Sequence, residues 1–167
     1  MNDTLVEIPL QSGLGWRRVS WEEVFSEVHR ITPWLAAEIN EPKYFWPSRV
    51  EKIAEQKAIL LDWQWVLGFE KPDVAFSTYL WEQEVLIEFF LAQVKPVETF
   101  MIVLDFPPNL KERMAISVDY QGDWEHFYNE FPYQIFGASQ DIFLIFPKID
   151  TILAVHHSGV FCRLEKP

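Results

Sequence analysis

The chain of 167 residues carries 25 acidic and 14 basic side chains, a net charge of −11, with 49% hydrophobic and 23% charged residues. This is the composition of one globular domain over 1–167, large enough to fold without disulfides or a structural metal. The lack of any basic face or tail argues against nucleic-acid phosphates and anionic lipid as partners, while the negative sign steers cationic ones.

In chain order, TLVEIPL reads as a short edge strand, because Pro9 cannot donate to a ladder. Gly13 and Gly15 mark a turn. SWEE is a capping box, with Ser20 as N-cap and Glu23 at N3. Trp21, Val24, Phe25 and Val28 follow at helical spacing and predict a helix to about Arg30. PWLAAEI predicts a second short helix opening on Pro33. SRVE predicts another capping box, Ser48 with Glu51, and Val50, Ile53, Ala54, Ala58, Leu61 and Trp65 continue one apolar helical face. These signals predict a helix that opens at the Ser48 cap and whose apolar face reaches Trp65, with Lys52, Glu55 and Gln56 on its opposite side.

After Pro72 the pattern turns towards β. VAFSTYL alternates, whereas EVLIEFFLAQV is apolar on both faces and fits a central strand or a buried helix. ETFMIVLDF and ERMAISVDY predict a hairpin around a proline-rich loop. QGDWEHFYNEF predicts a short helix from Asp123; DIFLIFP, TILAVHH and VFCRL predict three more strands, the last two joined at Ser158-Gly159. Helices first and mostly antiparallel strands afterwards make an α+β domain, with N-terminal helices packed on the sheet. The longest apolar runs, such as Phe100–Leu104, are too short to span a bilayer. A single cysteine and an N-terminus without a basic region and apolar run point to a cytoplasmic protein.

The stretch AVHHSGVFCRL gathers His156, His157 and Cys162. Neighbouring strand residues point to opposite faces, so the two histidines do not converge on one ion, and no CxxC, HxxxH or HExxH completes a ligand set. The expectation is an ordinary hairpin with no metal and no cofactor. A Cys162–His157 pair is a conceivable nucleophile and base, but a cysteine in VFCRL reads first as a small buried hydrophobe. His29 and His126 stand isolated; Glu82, Glu84 and Glu88 share a face in either conformation, as solvated surface carboxylates commonly do. No residue is assigned a catalytic role.

One window is set apart by composition. Between Arg113 and Lys148 no basic side chain occurs, whereas Asp119, Asp123, Glu125, Glu130 and Asp141 alternate with seven aromatic residues of 120–136. Carboxylates around aromatic anchors suit a basic protein partner, the rings supplying affinity and the charges speed and selectivity. The expected partner-binding residues are Asp119, Tyr120, Asp123, Trp124, Glu125, His126, Tyr128, Glu130 and Tyr133. A solvated helix over an ordinary core explains the same pattern.

In size, charge and aromatic richness the chain is similar to the immunity proteins that bacteria make against secreted polymorphic toxins. The resemblance is one of general character, without a shared motif, so it transfers no residues. It implies a cytoplasmic domain that neutralises a cationic toxin by stoichiometric binding and needs no catalytic group. An acidic secretion chaperone or adaptor is the alternative of the same kind, and an enzyme with a carboxylate or Cys–His site the alternative of another.

Overall fold

A computed structural model of the chain describes residues 16–65, 99–104, 114–119, 141–156 and 160–167. Two helices, α1 (Trp21–Ile31) and α2 (Pro47–Gln56), precede most of a seven-stranded sheet. Its strands are β1 (Trp16–Arg18), β2 (Trp63–Trp65), β3 (Thr99–Leu104), β4 (Met114–Asp119), β5 (Ile142–Phe146), β6 (Thr151–Val155) and β7 (Val160–Glu165). They lie in the order β1-β4-β3-β5-β6-β7-β2, and every neighbouring pair is antiparallel. The fold is α+β with its helices on the sheet, as patterning predicts. No helix among the described residues is long and apolar enough to cross a membrane.

Helix α1 begins where its sequence says it should. The Ser20 hydroxyl accepts from the Glu23 N–H at 3.2 Å, and a Glu23 carboxylate oxygen accepts from the Ser20 N–H at 3.3 Å. Two orphan donors of the first turn are thereby satisfied. Arg17 grips the same carboxylate with two donors, at 2.8 and 3.1 Å, and holds the Glu23 carboxyl below the usual carboxylate range. Val24, Phe25, Val28 and Ile31 form the buried face. Thr32 ends the helix, its hydroxyl donating to the Val28 carbonyl at 2.6 Å. PWLAAEI forms only a 3-10 turn at Pro33–Leu35 followed by turn residues, so the expected second helix is a single tight turn.

Helix α2 departs from its expected bounds at both ends. Its N-cap is Trp46, with Pro47 at the first helical position, and no side chain caps it. Proline's fixed φ starts the helix before Ser48, which falls inside the first turn and leaves the capping-box position empty. The other end stops at Gln56 instead of continuing to Trp65. There Ala58 takes a left-handed φ of 56°, the Ile59 N–H reaches the Ala54 carbonyl at 2.8 Å, and the Ala58 N–H reaches the Glu55 carbonyl at 3.1 Å. These two bonds are a Schellman closure, normally built around glycine. Trp63 and Trp65 are released to pair with β7, opposite Cys162 and Val160.

Register explains the core. Val103, Phe143, Ile152, Ala154, Cys162 and Leu164 share the face that meets α1, the 3-10 turn and α2 in one cluster with Val28, Leu35, Phe45 and Ile53. Phe45 lies parallel to Phe143, ring centroids 3.8 Å apart, and edge-on to Phe25 at 6.3 Å. On the opposite face Phe100, Ile102, Ile116, Val118, Leu144, Phe146 and Leu153 are also fully buried. The middle of the sheet is therefore enclosed on both sides, which accounts for β5 and β6 being apolar at nearly every position rather than alternating. Towards β7 and β2 this second face opens to solvent at Arg163, Glu165 and Gln64.

Helix and sheet are tied at one corner. Arg30 in the last turn of α1 bonds Glu27 on its own helix at 2.7 Å, the Pro147 carbonyl at 2.8 Å and the Asp150 carboxylate. Asp150 occupies the left-handed region, φ 51° and ψ 45°, at the end of the turn that joins β5 to β6. Aspartate is among the few residues besides glycine that enter this region readily.

The expected strand at TLVEIPL, the segments VAFSTYL and EVLIEFFLAQV, the proline-rich loop, the helix at QGDWEHFYNEF and the Ser158-Gly159 turn lie outside the described residues.

Candidate functional site

The histidine–cysteine stretch folds as a hairpin. β6 and β7 pair antiparallel with Val155 opposite Phe161 and Ala154 opposite Cys162, and the His156 N–H donates to the Val160 carbonyl at 2.9 Å. Cys162 points into the helix-side core and is 1% exposed. Burial pushes its thiol up to about 11, with Asp62 adding to the rise. Such a thiol is neutral at ordinary pH, which counts against it as a nucleophile. His156 instead lies beside Asp141, its Nε2 3.9 Å from a carboxylate oxygen, joining the end of β6 to the start of β5. Sequence reading misses this pair because only strand register brings residues 141 and 156 together. His157 lies outside the described residues, and within them no group of three or more His, Cys, Asp or Glu side chains is placed to hold a metal ion. His29 is absorbed by the fold: its ring stacks on Phe25 and its Nε2 lies 2.9 Å from the Ile39 carbonyl oxygen.

Of the expected partner-binding residues, Asp119 is described. It ends β4 on the side of the sheet that faces the helices, exposed, and accepts from the Thr99 hydroxyl across the strand pair at 3.3 Å. Tyr120, Asp123, Trp124, Glu125, His126, Tyr128, Glu130 and Tyr133 lie outside the described residues, as do Glu82, Glu84, Glu88 and His126's neighbours in the window.

Ion pairs among the described residues join Arg17 to Glu23, Arg30 to Glu27 and Asp150, Lys43 to Glu41, Lys57 to Glu38, and Arg163 to Glu165. Partly or wholly exposed pairs of this kind contribute little stability each.

Comparison with protein-family models, with curated proteins and with solved structures finds no match in any of the three.

Proposed function

We propose that the protein works by binding a cationic protein partner, as an immunity-type domain that neutralises a basic bacterial toxin one to one. The observation that carries this reading is the composition between Arg113 and Lys148, where Asp119, Asp123, Glu125, Glu130 and Asp141 occur without a basic side chain and are interleaved with seven aromatic residues of 120–136. The net charge of −11 supplies long-range attraction, and the acidic, aromatic window that begins at Asp119 supplies the anchors. Neutralisation by surface binding uses no catalytic group. The buried, neutral thiol of Cys162 argues against a cysteine nucleophile.

Affinity capture from native lysate at low and moderate salt tests the reading, with the retained protein identified by mass spectrometry. A basic protein held one to one and weakened by salt is the expected result. Two charge-reversed variants then locate the contact. Asp123→Lys with Glu125→Lys should slow association with that partner by about tenfold at low salt and flatten its salt dependence. Glu51→Lys with Glu55→Lys, the same charge change on the exposed face of α2, is the matched control and should alter the rate less than the window variant does. Equal effects from the two variants would remove the window as the interface, and no retained partner at either salt would remove the binding reading itself.

A further inference from the structure

We draw no further inference here: the strongest candidate, the outer edge of the sheet at β2, where the almost fully exposed Leu60 leads into Trp63 with its buried, unpaired indole N–H, carries nothing because nothing in the structure shows what covers that edge.

Discussion

Ala58 sits where the backbone asks for glycine. Its φ of 56° places Cβ against the following carbonyl, at a cost of about 1–2 kcal/mol for an L-residue. The side chain is exposed, so little packing offsets that cost. Ala58→Gly gives back about 0.4–1 kcal/mol of unfolded-state entropy, and the net gain should be about 0.5–1 kcal/mol, or a few degrees in Tm by thermal denaturation. A lower Tm would mean that Ala58 is not strained. Cys162 makes the opposite kind of statement, about burial rather than backbone. Its thiol should resist alkylation in the folded protein and react once denaturant is added. It ionises at about 11 when folded against an ordinary 9.0, so the unfolded chain releases its proton first as pH rises. Stability that is complete below pH 9 should therefore decline by about 2–3 kcal/mol as pH approaches 11, measured by urea unfolding. A Cys162→Ala variant should lack that component of the slope; an identical alkaline decline in both proteins would assign it to other groups.

Among the elements, α1 is legible in sequence to its N-terminus and α2 only in its middle turns, for a reason that lies in which groups their ends use. The α1 N-terminus is closed by Ser20 and Glu23, side chains three positions apart that need nothing from elsewhere. The α2 C-terminus is closed by backbone bonds around a left-handed alanine, and the apolar spacing through Leu61 and Trp65 continues unbroken past it. What overrides that spacing is the pairing of Trp63–Trp65 with β7, almost a hundred residues away in sequence. The β5–β6 turn shows the same division. Asp150 combines a left-handed backbone, which its residue type permits, with the Arg30 contact, which only the packing of α1 provides. Two substitutions separate these contributions. Asp150→Gly removes the carboxylate and keeps the conformation easy; Asp150→Ala removes the carboxylate and strains the turn. The glycine variant should be the more stable of the two by about 1 kcal/mol in chemical unfolding. Equal stabilities would show that the turn relaxes out of the left-handed region once the carboxylate is gone.

For the molecule as a whole, stability rests on a sheet enclosed on both faces, with the Phe45–Phe143 stack where the helical layer meets β5. Phe143→Ala opens a cavity under that stack and should cost about 3–5 kcal/mol, a large share of the 5–15 kcal/mol typical of a domain. Urea titration would read this as a lower midpoint with an unchanged m-value; a loss below about 1 kcal/mol would mean that the layers close over the gap. By itself the sequence determined the α+β class, the first helix and its cap, the β3–β4 pair and the β5–β6–β7 succession. Those features depend on alternation, capping and turn chemistry acting over a few residues. It also marked the acidic, aromatic window, though of that candidate site the described framework includes Asp119 alone. Tertiary structure decided where α2 stops, that Asp141 faces His156 and that the Cys162 thiol is held neutral. Each of these is a contact between residues far apart along the chain, and it exists only because sheet register and helix packing fix their distance.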